Sequence, residues 1–310
     1  MMNSPLIYII LPIYNWHEYF LEQLMSIYYQ DYKNWYLIII NDWSTDESVS
    51  IANDFIRWYN LYSKVKIVEK NNWWLNSAIT RWFEEIKKMC DIDEVDGFVC
   101  YCDCDDVWAR WKLSLQVEYM IKNKDCALSY HDLAIIDECW ILKECSKMGK
   151  YKYNEDKNFL MVSIMENHIT ATSMMFKIKC IDYILPMPLW KDMCQDWRTV
   201  LVLSFLWFKI GYINRVLWYY RVWHVSKHML LEKDKRKIND RYVNQLKFLQ
   251  KRFPKTDLSF IISYKQDILW KNINSKLGKG IYTLFNYPKI FFIHFNLFLK
   301  EMVKKKIFKL

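Results

Sequence analysis

The sequence predicts an α/β fold: a doubly wound, Rossmann-like mixed sheet followed by a helical, basic C-terminal extension. Three observations point there. Near-continuous apolar runs of strand length alternate with stretches at helical spacing over the first hundred residues. Those runs end in polar pairs, as expected where a parallel sheet presents its carboxyl edge to a ligand. Lysines then crowd residues 227–310, after the alternation has stopped.

Taken in order, "LIYIILPIYN" is a strand buried on both faces. Residues His17 to Tyr29 follow as a helix, with Leu21, Leu24, Met25 and Tyr28 on one stripe. "WYLIIIND" is the next strand and Asp46 to Tyr59 the next helix, with Ser44, Thr45 and Asp46 reading as its N-cap. "KVKIVEK" is a third strand, Leu75 to Met89 a third helix and "GFVCYCD" a fourth strand. Repeated βα units at this spacing imply parallel pairing in a doubly wound sheet. The strand ends carry Tyr14-Asn15, Asn41-Asp42, Asn71-Asn72 and Asp103. Beyond residue 110 the pattern loosens. A helix from Lys112 to Lys122 leads to the strand "CALSYHDL", a loop with Asp137 and Glu138, and the strand "ATSMMFK". A helix from Asp196 to Phe208 and the strand "GYINRVLWYYR" close this part, and from Lys227 the reading is helical, basic and amphipathic. Residues 1–228 therefore read as one domain and 229–310 as an extension.

The 310 residues contain 5 glycines and 16 tryptophans, where average usage would give roughly 22 glycines. The tryptophans fall where turn glycines belong: Trp16 follows Asn15, Trp43 follows Asp42, and Trp73-Trp74 follow Asn72. Several tryptophans, with these positions and Trp82 as the candidates, read as glycines decoded as tryptophan, as a reassigned stop codon would produce; an unusually aromatic protein is the plainer alternative.

A hydrophobic fraction of 53% with 25% charged residues is globular in character. The net charge of +9 gathers toward the C-terminus, which ends "EMVKKKIFKL" and suits an anionic membrane face or nucleic acid. Nine cysteines without a CxxC pair read as reduced, buried thiols in a cytoplasmic protein, with Cys100, Cys102 and Cys104 alternating. No stretch reaches the length of a membrane-spanning helix, and Leu6 to Ile13 lacks the charged lead of a signal peptide.

"YCDCDDVW" places Asp103, Asp105 and Asp106 directly after an apolar strand. Carboxylates so close repel one another unless a cation neutralises them, and Mn²⁺ or Mg²⁺ takes such oxygen ligands. A solvated acidic turn capping the next helix is the plainer alternative, made less favourable by the position at a central strand end.

The ordered set "LPIYNW", "NDWSTDES", "NNWWLNSAITRW" and "YCDCDDVW" resembles the family 2 glycosyltransferases of GT-A fold. "CDCDDVW" is closest to the DQDDxW form of rhamnosyltransferase-like members. "QDW" at Gln195 to Trp197 resembles the (E/H)DW segment holding the family's general base, and "YYRVWHVSKH" the closing YRxH segment. The likeness spans residues 5–228 and departs where family glycines are tryptophans here and where Cys104 replaces a polar residue. It implies transfer of a sugar from a nucleoside-diphosphate donor, with inversion, to a glycan or lipid-linked acceptor at the inner membrane face. Asp196 would be the base at a helix start, where the dipole favours its ionised form. Pro12, Tyr14, Asp42, Asn72, Asn76, Arg81 and Asp103 would bind the nucleotide sugar. Asp103, Asp105, Asp106 and His224 would hold the metal. Trp108 would pack beneath the acidic turn, and residues 169–177 would shape the acceptor side.

Two rivals fit less well. A sugar-phosphate nucleotidyltransferase or a nicotinamide enzyme would show a glycine-rich loop near the N-terminus, and "PIYNWHEYF" has none even with glycine at 16. A basic binding protein would act without metal or Asp196. The helix-spaced aromatics of the tail suit a packed or interfacial face better than nucleic acid.

Overall fold

The computed structural model describes residues 4–70, 75–146, 163, 167–185, 195–222, 235–254, 258, 259, 262 and 263. The chain forms two compact units, residues 1–226 and 227–310.

The first unit is built on a nine-stranded sheet. Its strands are β1 (Leu6–Ile13), β2 (Trp35–Asn41), β3 (Val65–Glu69), β4 (Gly97–Tyr101), β5 (Val107–Trp108), β6 (Cys126–Ile136), β7 (Leu142–Ser146), β8 (Met175–Lys177) and β9 (Lys209–Arg221). They lie in the order β3-β2-β1-β4-β8-β6-β9-β5, with β7 paired to β6. The helices are α1 (Phe20–Tyr28), α2 (Ser48–Trp58), α3 (Leu75–Met89), α4 (Lys112–Lys122), α5 (Ile181–Ile184) and α6 (Gln195–Phe205). In the second unit α7 (Lys235–Arg252) buries Val243, Leu246 and Leu249 at helical spacing.

The apolar runs β1, β2 and β4 pair in parallel and carry the core: Ile7, Ile9 and Ile10 of β1 and Leu37 to Ile40 of β2 are fully buried. The sheet is mixed, as predicted: the βα repeats of the first hundred residues give the parallel strands β1 to β4, and the antiparallel pairs come later in the chain. β8 enters antiparallel between β4 and β6, and β5 is antiparallel to β9. The run 171–177, read as one strand, is a 3-10 turn (Ala171–Ser173) followed by the short β8. The loop after residue 136 is instead a hairpin into β7.

Chain order reverses at β1. Strand β2 lies on one side and β4 on the other, which makes the carboxyl ends of β1 and β4 the switch point where such sheets bind ligands. The two strands part there: their register ends at Ile10 opposite Tyr101, while β1 keeps its pairing with β2 through Ile13. Pro12, with no N–H to give, sits in the part of β1 already released from β4.

Among the described residues, five other than glycine adopt positive φ: Asn15, Trp43, Asn60, Trp140 and Trp207. Asparagine tolerates that region; tryptophan does so rarely. Trp43 has the turn backbone that its place after Asp42 predicts, with φ of 68° and 55% exposed. Trp16 does not take positive φ, and Trp82 is buried inside α3, so neither shows the backbone that glycine is needed for. Trp73 and Trp74 lie outside the described residues.

Candidate active site

The loops after β1 and β2 are knitted to each other. Asn15 donates its N–H to Ser44 Oγ (3.1 Å) and accepts from the N–H of Thr45 (2.7 Å). Trp16 N–H reaches Ser48 Oγ at 3.1 Å, and His17 meets Asp46 at 3.1 Å. Asn41 accepts the Ser44 N–H at 2.9 Å and donates to Glu69 at 2.6 Å. This lattice takes the place of the expected N-cap: no side chain caps α2 at Glu47, and Asp46 accepts the Ser48 N–H instead.

Asp42 directly follows β2 and pairs with Lys70, which directly follows β3, Nζ to Oδ1 2.7 Å, both side chains little exposed. The lysine was not foreseen, because nothing local distinguishes Lys70 from other surface lysines. Tyr14 stands 46% exposed beyond β1. Arg81 is not brought to this edge: its guanidinium pairs with Glu84 and Glu85 of its own helix. Asn72, the side chain of Asn76 and His224 lie outside the described residues.

The acidic loop after β4 divides its carboxylates. Asp103 is reached by Thr172, whose hydroxyl donates to Oδ2 at 2.8 Å and accepts the Asp103 N–H at 3.3 Å. Burial raises the pKa of Asp103, and the Thr172 hydroxyl opposes that rise. Asp105 is half-buried. Asp106 is fully buried and accepts the Arg221 N–H at 3.1 Å. Burial above all, then the charges of Asp105 and Asp103, push Asp106 far up from the usual carboxylate range. The three aspartates thus do not act as one set: Asp106 serves the strand beside it. Among the described residues no three His, Cys, Asp or Glu gather as a metal cage. Trp108 is buried behind the loop with Lys112 Nζ 4.3 Å from its ring centre.

Asp196 lies in the first turn of α6. Asn167 donates to its Oδ2 at 2.9 Å and the Trp197 N–H to Oδ1 at 2.7 Å. Burial raises its pKa first of all, Asn167 and Trp197 counter it, and the charge of Asp103 raises it further. The helix start therefore does not hold this carboxyl in the ordinary range, because desolvation outweighs the dipole. The hydroxyls of Tyr101 in β4 and Thr199 in α6 meet at 3.1 Å and bring the helix to the strand. Asn167 and Thr172 carry no sequence signal of their own, although 172 falls in the segment assigned to the acceptor side.

Residues 8–179, more than half of the chain, match the profile described as Glycosyl transferase family 2. Over 183 residues the chain is 31% identical to the glycosyltransferase MJ1057 of Methanocaldococcus jannaschii, covering 58% of each protein. Over 154 residues it is 26% identical to the Escherichia coli UDP-Glc:α-D-GlcNAc-diphosphoundecaprenol β-1,3-glucosyltransferase WfgD, covering 50% of this chain and 56% of the relative. The chain spans about half the length of the curated relatives it matches. Among solved structures, the Pyrobaculum calidifontis mannosyltransferase PcManGT, bound to GDP-Man and Mn²⁺, superposes with a TM-score of 0.56. That match has 16% identity and covers 81% of this chain and 65% of that one. The fold is GT-A, and the chain belongs to glycosyl transferase family 2.

Proposed function

We propose that the chain transfers a sugar from a nucleoside-diphosphate sugar to a hydroxyl group of a glycan or lipid-linked acceptor, inverting the anomeric carbon. The observation that supports this reading is the Tyr101–Thr199 contact, which ties the start of α6, where Asn167 holds Asp196, to the end of β4, after which Thr172 holds Asp103. Asp196 takes the acceptor's proton. A carboxyl whose pKa burial has raised is a stronger base than an exposed aspartate, and Asn167 leaves it aimed from a fixed direction. Asp42 with Lys70, Pro12 and Tyr14 receive the nucleotide along the β1 and β2 ends, with Asn72 and Asn76 as further contacts.

Asp103 and Asp105 would hold Mn²⁺ or Mg²⁺, with His224 as a further candidate ligand. The donor chemistry fits: Asp103 and Asp105 offer carboxylate oxygens from a half-buried loop, and two carboxylates leave positions for phosphate oxygens and water, as these hard cations prefer. When bound, the ion supplies positive charge to the departing diphosphate. A donor carrying a diphosphate and an acceptor on undecaprenyl diphosphate are in the name of the E. coli relative, and Mn²⁺ with GDP-Man accompanies the Pyrobaculum structure. The lysine-rich residues 227–310 suit an anionic membrane face where such acceptors reside.

Transfer from a panel of UDP, GDP and dTDP sugars, with and without Mn²⁺, tests the reading. Asp196→Asn is expected to lower the rate by on the order of 10²–10⁴-fold while leaving donor binding in place. Asp105→Ala is expected to weaken donor binding and the response to Mn²⁺. Full turnover in Asp196→Asn, or a product with retained anomeric configuration, would sink it.

A further inference from the structure

Arg221 is the last residue of β9 and is completely buried, an unusual place for a guanidinium unless every donor is spent. Its contacts converge from separate parts of the chain. The backbone N–H holds Asp106 Oδ1 at 3.1 Å, and Nε donates to the Asp105 carbonyl at 3.3 Å. Nη1 donates to the Asp137 carbonyl at 3.4 Å, at the end of β6, and Nη2 pairs with Glu22 of α1. The guanidinium carbon lies 4.2 Å from the centre of the Tyr19 ring. One side chain thus joins β9, α1, the β6 end and the acidic loop.

None of these bonds reaches the Asp105 side chain. They fix what precedes and follows it: the main-chain carbonyl of Asp105 and the carboxyl of Asp106. A loop pinned at both points has few directions left for the side chain between them. A lysine at 221 would keep the charge and the main-chain bond to Asp106, but it has no planar fork to serve Asp105, Asp137 and Glu22 together.

We propose that Arg221 is the positioning residue of the acidic loop, and that Glu22 holds it in place, so that Asp105 is presented to a divalent cation and the donor's diphosphate. This rests on the assignment of Asp103 and Asp105 to that role. Structural support alone would give a different result from positioning, and binding separates the two without turnover.

The test is titration calorimetry on the full chain with Mn²⁺ together with UDP or GDP, whichever the unaltered protein binds, beside the thermal midpoint of each variant. Arg221→Lys is expected to weaken Mn²⁺-dependent nucleotide binding at least tenfold and to leave metal-free nucleotide binding within about twofold. Glu22→Gln, on a partly exposed helix, is expected to shift the same quantity in the same direction by a smaller factor. Should Arg221→Lys fail to fold, Glu22→Gln alone decides. Folded variants that bind Mn²⁺ and nucleotide as the unaltered protein does would overturn the proposal, whatever their midpoints. If Asp105→Ala also binds normally, the assignment of the loop itself fails, which is a distinct outcome from failure of Arg221.

Discussion

The backbone at Trp43, Trp140 and Trp207 is where side-chain chemistry and conformation disagree. Trp207 shows it most plainly. It follows α6 with φ of 61°, its N–H goes to the Ser204 carbonyl at 3.1 Å, and the Phe208 N–H goes to Leu203 at 3.0 Å. That pair of bonds is the Schellman closure, in which the left-handed position usually belongs to glycine. The indole contributes little in return, being 80% exposed. Trp140 turns the β6–β7 hairpin with φ of 62°, and Trp43 turns the chain beside Asp42. Replacing Trp207 by Gly is expected to stabilise the chain by roughly 1 kcal/mol, the usual penalty for a Cβ in that region. Urea unfolding would read this as a higher midpoint at unchanged slope. Peptide mass spectrometry of the protein from its own host is expected to find glycine at 43, 140 and 207; tryptophan at all three would end the codon reading. Position 43 could be suspected from sequence because Asp42 precedes it. Positions 140 and 207 could not, since Cys139 and Leu206 give no turn signal.

Among the elements, α3 is tied to β3 by one buried acid. Glu85 pairs with Lys66 at 2.8 Å, Lys88 at 2.9 Å and Arg81 at 3.0 Å, with its own side chain only 6% exposed. The hydrogen bond from Lys66 comes first and Lys88 second in lowering its pKa from 4.5 to about 2; burial opposes them. A depressed carboxyl stabilises the fold above its unfolded value, so the contribution is complete above pH 4.5 and is lost as pH falls toward about 2. Glu85→Gln is expected to lower stability by about 1 kcal/mol at neutral pH, because the partners are well exposed. The difference from the unaltered chain should vanish in that acid window, as urea midpoints taken along a pH series would show. The same network engages Arg81: helical periodicity places it on a face but does not reveal that the acids a turn later pair with it. Strands β1, β2 and β4 were legible because both faces are buried and the whole run is apolar. The antiparallel entry of β8 was not, since that pairing is decided by neighbours far along the chain. The site divides in the same way. Asp103 and Asp196 announce themselves in short motifs, and Arg221 falls in the closing YRxH segment without showing its partners, whereas Thr172, Asn167 and Lys70 stand out only through contacts that folding creates.

At the scale of the whole molecule the sign of the charge changes along the chain. Residues 1–226 carry more Asp and Glu than Lys and Arg, so the net +9 arises from residues 227–310. The described residues contain no helix long and apolar enough to cross a membrane. Attraction between lysines and anionic headgroups is one force that so basic a segment can supply. That force acts over about one Debye length, near 10 Å at 0.1 M salt, and each basic residue near the surface adds roughly 1 kcal/mol. Binding to vesicles of phosphatidylglycerol is therefore expected at low salt and should fall steeply as salt rises. Neutral phosphatidylcholine vesicles should bind far less at any salt. Substituting the terminal lysines 304, 305, 306 and 309 by glutamine is expected to weaken vesicle binding while sparing Mn²⁺-dependent nucleotide binding, because the carboxylates of the switch point belong to the other unit. Equal binding to neutral and anionic vesicles, or binding indifferent to salt, would mean that charge is not what this extension contributes.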